Sequence, residues 1–172
     1  MNIAYTMAQG RGDTDQLLYG LAQDIGSLGY RTCGTVQINT ERDGHACDMD
    51  VQILPKGPVL RISQNLGAGS KGCRLDPAVL ETAVALVEAQ LENKPELLIV
   101  NKFGKHEAEG RGFRTAIAEA ISRDIPVLVG VNALNIKAFL EFVGTEAKPL
   151  EPSATAIVNW VKTVLGEKRV AA

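Results

Sequence analysis

Aromatic side chains are scarce in this chain, at 5% of its 172 residues, and no basic stretch is interleaved with them. Proteins that bind single-stranded nucleic acid combine basic grooves with stacking aromatics. The formal net charge of −2 likewise provides no general attraction to nucleic acid or to an anionic membrane. The composition therefore argues against a nucleic-acid partner.

Cysteine is also rare, and the three cysteines, Cys33, Cys47 and Cys73, form no Cys-x-x-Cys pair. An odd number of scattered cysteines indicates reduced thiols rather than a disulfide framework. Cys47 and Cys73 do not have the spacing of zinc ligands when they are combined with His45 and His106. We therefore predict no bound metal.

The sequence lacks a basic leader and a long apolar segment, because Met1–Tyr5 leads directly into a short apolar strand. We expect a cytoplasmic protein without membrane insertion. The chain is 45% hydrophobic and 22% charged, which is typical of a globular protein. Its length suits one domain over residues 1–172.

Apolar residues recur with helical spacing in some segments and form short continuous runs in others. The two patterns alternate along most of the chain, which indicates a three-layer α/β fold with an open, mostly parallel sheet. A turn at Pro55–Pro58 joins two strand-like runs into an inserted β-hairpin. Helices are predicted over residues 14–28, 77–91, 113–123, 135–143 and 153–168, and strands over 3–6, 35–38, 49–54, 59–62, 97–101 and 126–131.

The segment between the first strand and the first helix has the layout of a phosphate-binding P-loop, Gly-x4-Gly-Lys-Ser/Thr. Gly12 and Thr14 fit this pattern, whereas Met7 replaces the first glycine and Asp13 replaces the lysine. Backbone N–H groups at a helix N-terminus bind phosphate, but an aspartate beside them repels it. We predict a fold of the P-loop nucleoside-triphosphatase type without the hydrolysis.

The apolar run Leu97–Val100 ends in Asn101, where a P-loop enzyme places a carboxylate that helps to hold Mg²⁺. A neutral amide followed by the cation Lys102 removes the main attraction for a divalent metal. Asp13 and Lys102 are expected at the ends of adjacent strands, and we treat an ion pair between them as a hypothesis.

Three glycine-rich loops, residues 10–14, 66–74 and 102–114, are expected to meet at the carboxyl edge of the sheet. Cations and exposed N–H groups form an anion site, which suits a nucleotide phosphate and a tetrahedral oxyanion alike. Alternatively, the cations are solvated and offset by nearby acidic residues. The predicted ligand-binding residues are Gly10, Arg11, Gly12, Thr14, Lys71, Arg74, Lys102, Lys105, His106, Arg111 and Arg114.

Three segments carry a more specific signature, and the longest begins Asn101-Lys102-Phe103-Gly104-Lys105. With residues 61–67 and 72–77, it resembles a bacterial family known as domain of unknown function 2478, over about Ile3 to Leu150. The resemblance implies a relationship to small P-loop nucleoside-triphosphatases, whose second motif reads apolar run, Asp-Glu, Ile-Gly-Lys. Members of this family tend to be encoded beside molybdate-transport genes, and the resemblance therefore implies a role in molybdenum handling.

Three functions therefore compete. The first is a non-hydrolysing protein that binds a phosphate-like oxyanion, such as molybdate or tungstate. The second is a nucleoside-triphosphatase or phosphotransferase in which Lys102 or Lys105 replaces the missing lysine and Glu107 positions water. The third is an accessory subunit that regulates a molybdate-transport ATPase by contact. The sequence is compatible with a homo-oligomer. It implies no cofactor beyond the oxyanion or a nucleotide.

Overall fold

The structure is a computed structural model that describes residues 1–42, 45–66, 74–144 and 146–167. Its centre is a seven-stranded sheet with the order β4-β3-β2-β5-β6-β1-β7. The strands are β1 (Ile3–Thr6), β2 (Thr32–Arg42), β3 (His45–Ile53), β4 (Val59–Arg61), β5 (Leu97–Phe103), β6 (Val127–Val131) and β7 (Lys148–Leu150).

The strands β2, β5, β6, β1 and β7 run parallel, whereas β3 and β4 add to one side of the sheet in antiparallel pairs. The predicted α/β fold with a mostly parallel sheet is therefore confirmed, and so is the hairpin of β3 and β4. The helices are α1 (Asp13–Ser27), α2 (Pro77–Leu91), α3 (Lys105–Ala108), α4 (Arg114–Ser122), α5 (Ile136–Val143) and α6 (Ala154–Leu165).

Two hydrophobic clusters, one on each face of the sheet, form the core. One face packs against α1 and α6, through residues such as Leu18, Leu21 and Trp160. The other packs against α2, α4 and α5 and contains Val87 and Phe139. Alternate residues of β5 enter the two clusters, as expected for a strand covered by helices on both sides. None of the helices in the described ranges combines the length and apolar character needed to cross a bilayer.

Three details differ from the sequence prediction. Strand β7 was not predicted, because it is three residues long and contains Pro149. Strands β2 and β3 extend beyond the predicted hydrophobic runs, through polar residues that pair as far as Arg42 and His45. The predicted loop at 102–112 begins as the last two residues of β5 and continues into the single turn of α3.

Cys33 lies in β2 at 1% exposure, and its burial raises the pKa of the thiol to about 12. Only the thiolate reacts readily with alkylating agents. We therefore expect Cys33 to remain unmodified by iodoacetamide near neutral pH and to react once the chain is unfolded in urea. Peptide mass spectrometry measures both states, and alkylation of Cys33 in the native protein at the rate of the partly exposed Cys47 would contradict the prediction.

Candidate functional site

A cavity of about 910 Å³ lies at the carboxyl ends of β2 and β5, beside the loop that precedes α1. Ligands of open α/β sheets bind at this edge. The cavity is lined by Arg11, Gly12, Asp13, Asp15, Gln16, Tyr19, Gln37, Ile38, Asn39, Glu41, Cys47, Met49 and Lys102.

The loop before α1 is closed by its own hydrogen bonds. The Ala8 N–H donates to the Thr14 hydroxyl at 3.0 Å, and the Asp13 N–H donates to the Gly10 carbonyl at 3.3 Å. Gly12 adopts a left-handed conformation with φ 84°, which glycine tolerates, and α1 begins at the next residue. No side chain caps α1. The N-terminus of α1 therefore borders the cavity with its positive dipole end.

The carboxylate of Asp13 folds back against Gly10. A Cβ atom built on Gly10 would lie 2.1 Å from Asp13 Oδ2 and 2.9 Å from Oδ1, so only a glycine leaves room for this arrangement. The residue that replaces the P-loop lysine thus contributes a negative charge to the loop and to the cavity wall.

Asn101 is 4% exposed and is fixed by two hydrogen bonds. Its Nδ2 donates to Asp15 Oδ1 at 2.8 Å, and its Oδ1 accepts from the Gln37 N–H at 3.0 Å. Asp15 Oδ2 also accepts from Asn39 Nδ2 at 2.7 Å and from Gln37 Nε2 at 3.3 Å. A network of amides and one carboxylate therefore joins the first turn of α1 to the ends of β2 and β5.

A β-bulge places Asn101 in this network. Val100 pairs with Val129 and Phe103 pairs with Val131, so β5 has one more residue than β6 in this interval. Gly130 faces the bulge, and a Cβ atom built on it would lie 2.1 Å from the Asn101 carbonyl oxygen. The bulge also turns Phe103 into the same cluster as Val100.

The expectation that Asp13 and Lys102 lie at the ends of adjacent strands was wrong, because β6 separates β1 from β5. Both residues line the cavity, yet the described residues include no ion pair between them. Lys102 and Arg11 are both exposed at the cavity and make no ion pair with any described residue.

The charged loop after β5 forms contacts of its own. Lys105 Nζ lies 3.6 Å from Glu109 Oε1, and Arg111 donates to Glu109 Oε2 at 2.6 Å. The hydrogen bond from Arg111 lowers the pKa of Glu109. His106 and Arg111 line a second cavity of about 690 Å³, on the face of the sheet covered by α2 and α4. They therefore do not face Arg11 and Lys102 across the first cavity.

Two more of the predicted cations are engaged in local structure. Arg74 donates to the Cys47 carbonyl at 2.8 Å and to the Gln64 carbonyl at 3.3 Å, next to the hairpin. The guanidinium of Arg114 lies 4.2 Å from the centre of the Phe142 ring. Lys71, with the glycines around it, lies outside the described residues.

Glu107 is 3% exposed and holds the loop after β5 together. Its Oε2 accepts from the Gly104 N–H at 2.9 Å, and its Oε1 accepts from the Phe113 N–H at 3.1 Å. Both carboxylate oxygens are thus used by the backbone, which argues against the water-positioning role considered from the sequence. The Glu107 side chain therefore links the residues that precede α3 and α4 and has a structural role.

Sequence reasoning did not assign Asp15, Gln37, Asn39, Tyr19 or Glu41 to the site. All five line the first cavity. Gln37, Asn39 and Glu41 lie at the polar end of β2, and their position after an apolar run was the one signal available for them, whereas Asp15 and Tyr19 lie in α1. Within the described ranges, no group of three or more histidine, cysteine or acidic residues could hold a metal ion.

The family described as "Protein of unknown function (DUF2478)" matches residues 3–160. The chain belongs to this DUF2478 family. Over 160 residues it is 38% identical to a protein named "Molybdenum import ATP-binding protein ModC 2" from Bradyrhizobium diazoefficiens. The match covers 92% of this chain but only 18% of that relative, so this member of DUF2478 corresponds to a small part of it.

Two solved structures share the fold. THEP1 from the hyperthermophile Aquifex aeolicus superposes with a TM-score of 0.65 at 15% identity. A human cancer-related nucleoside triphosphatase superposes with a TM-score of 0.67 at 16% identity. Each comparison covers 98% of this chain and 100% of the other. The DUF2478 chain therefore has the fold of the small P-loop nucleoside triphosphatases.

Proposed function

We propose that this DUF2478 chain is a cytoplasmic binding protein that holds a phosphate-like oxyanion, of the molybdate and tungstate class, without hydrolysing a nucleotide. One observation carries the proposal: Arg11 and Lys102, without ion-pair partners in the described structure, face one cavity beside the N-terminus of α1. Cations and helix N–H groups in one cavity are the usual donors for a tetrahedral anion.

The positions of Asp13 and Asn101 support binding without hydrolysis. A P-loop enzyme needs a lysine near the outer phosphates and a carboxylate that holds Mg²⁺. Here Asp13 supplies the opposite charge, and the amide of Asn101 is committed to Asp15 and to the Gln37 N–H. The Thr14 hydroxyl, which would bind the metal, accepts from the Ala8 N–H.

The molybdenum role is supported by the relative from Bradyrhizobium diazoefficiens. That protein is named for molybdenum import and ATP binding, and a stretch equal to 18% of its length matches this chain. We propose that such a stretch reports oxyanion availability to a transport ATPase. A binding protein in this position requires an affinity for the oxyanion but no turnover.

Isothermal titration with molybdate, tungstate and sulfate tests the proposal. We expect molybdate and tungstate to bind, and Lys102→Ala and Arg11→Ala each to weaken binding by about 1 to 3 kcal/mol, because each deletes a charge-assisted contact. Lys137→Ala is the matched control, since Lys137 pairs with Glu141 on the surface of α5. Unchanged affinity in both cavity variants would show that the oxyanion does not bind in this cavity.

A phosphate-release assay separates the two other functions. The cavity lies at the nucleotide-binding edge of this fold and is large enough for a nucleotide, so turnover of ATP with Mg²⁺ that is abolished by Lys102→Ala would favour the phosphotransferase. If the protein shows no anion binding and no turnover, the result favours an accessory subunit that acts by contact alone.

A further inference from the structure

We infer that Asp13 is a specificity-determining residue, which makes the cavity prefer a compact oxyanion of low charge over a polyphosphate chain. The inference rests on the proposed function, because it assumes that an anion binds at Arg11 and Lys102. Asp13 would thereby lead a fold shared with triphosphatases to hold a small oxyanion instead of a nucleotide.

The carboxylate of Asp13 is placed to act on a bound anion. It packs against Gly10, where the absence of a side chain makes space for it, and it belongs to the wall of the cavity. In the part of the chain that the structure describes, Asp13 makes no ion pair that would neutralise its charge. An anion in the cavity therefore lies beside a carboxylate that has no ion-pair partner among the described residues.

Replacing the P-loop lysine by Asp13 changes the charge at this position by two units. The lysine of a P-loop reaches the outer phosphates of a triphosphate. A triphosphate in this cavity would bring those phosphates to a carboxylate instead of an ammonium group. Coulomb repulsion is proportional to the charge of the ligand, so Asp13 disfavours a polyphosphate more than a dianion such as molybdate.

Arg11 and Lys102 compensate for this repulsion only in part. The cavity wall also carries Asp15 and Glu41, so its described acidic residues outnumber its described cations. Asp15 is engaged by three amide donors, which leaves its charge in place although its oxygens are partnered. The two cations match the charge of one dianion but not that of a triphosphate, and the acidic residues of the wall oppose the triphosphate more strongly because it carries more charge.

The test is a titration in metal-free buffer with molybdate and inorganic triphosphate. It compares the wild-type protein with Asp13→Asn, which keeps the shape of the side chain and removes its charge. We expect the affinity for triphosphate to rise about tenfold or more and the affinity for molybdate to rise less, so that the preference for molybdate falls. Asp13→Glu keeps the charge and should keep the preference.

Asp24→Asn is the matched control, because Asp24 is an exposed residue of the same helix and the charge change is identical. Equal effects of Asp13→Asn and Asp24→Asn on the ratio of the two affinities would overturn the inference, as would an unchanged ratio in Asp13→Asn. If the wild type binds molybdate but either of these two results is found, only the role of Asp13 is rejected. Absence of anion binding in all the proteins rejects the proposed function as well.

Discussion

Replacing Gly130 by alanine should lower the free energy of unfolding by about 3 kcal/mol or more. The new Cβ atom would lie 2.1 Å from the Asn101 carbonyl oxygen and 2.9 Å from Leu18 Cδ1, and the backbone of β5 cannot yield as a flexible side chain would. The strands β5 and β6 would have to separate at the bulge. Equilibrium unfolding in guanidinium chloride, followed by circular dichroism, measures the loss.

Gly20→Ala is the control for this substitution. Gly20 lies inside α1, and a Cβ atom built on it has no other atom within 4 Å. Alanine in the middle of a helix is about 0.5 to 1 kcal/mol more favourable than glycine, so this variant should be more stable than the wild type. If Gly130→Ala unfolds at the same denaturant concentration as Gly20→Ala, the close approach of β5 and β6 is not rigid.

Asn101→Asp is expected to destabilise the protein by about 3 kcal/mol at slightly alkaline pH. The introduced carboxyl would be buried next to Asp15 Oδ1, which now lies 2.8 Å from the Asn101 amide nitrogen. Two adjacent carboxylates repel each other, so the pKa of the introduced carboxyl is raised in the folded state. The stability of this variant should therefore be nearest to that of the wild type in acid and fall as the pH rises.

Thermal unfolding across the pH range tests this substitution, with Asn159→Asp on the exposed face of α6 as the control for charge. Two carboxylates at this position also resemble the oxygen ligands of a divalent cation. Mn²⁺ should accordingly raise the melting temperature of Asn101→Asp and leave Asn159→Asp unchanged. A pH-independent melting difference between the two variants would show that Asn101 is not fixed against Asp15.

The helices α1 and α2, which carry long periodic patterns, were predicted from the sequence nearly to the residue. The apolar stripes of α1 and α2 extend over four turns, and the structure ends them within one residue of the predicted bounds. Asp76, the N-cap of α2, accepts from the N–H groups of Ala78 and Val79. Strand β7 was missed because three residues cannot display a period, and its pairing with β1 is a tertiary contact.

The candidate site was predicted only in part, because it also depends on tertiary contacts. The P-loop layout singled out Gly12, which lines the cavity, and the apolar run before Asn101 predicted β5, which continues two residues further to Phe103. The hydrogen bond between Asn101 and Asp15 joins residues 86 positions apart, and it depends on the bulge in β5. Local sequence patterns do not encode strand order or a one-residue bulge. The sequence alone therefore could not show which of the predicted cations line the same cavity.

The outermost strands of the sheet, β4 and β7, have a consequence for self-association. Each is three residues long, β4 ends in Arg61, and β7 contains Lys148 and Pro149. Short edge strands with cations or proline are poor templates for a strand from another molecule. Growth of fibrils or open-ended polymers by edge-to-edge pairing is accordingly discouraged.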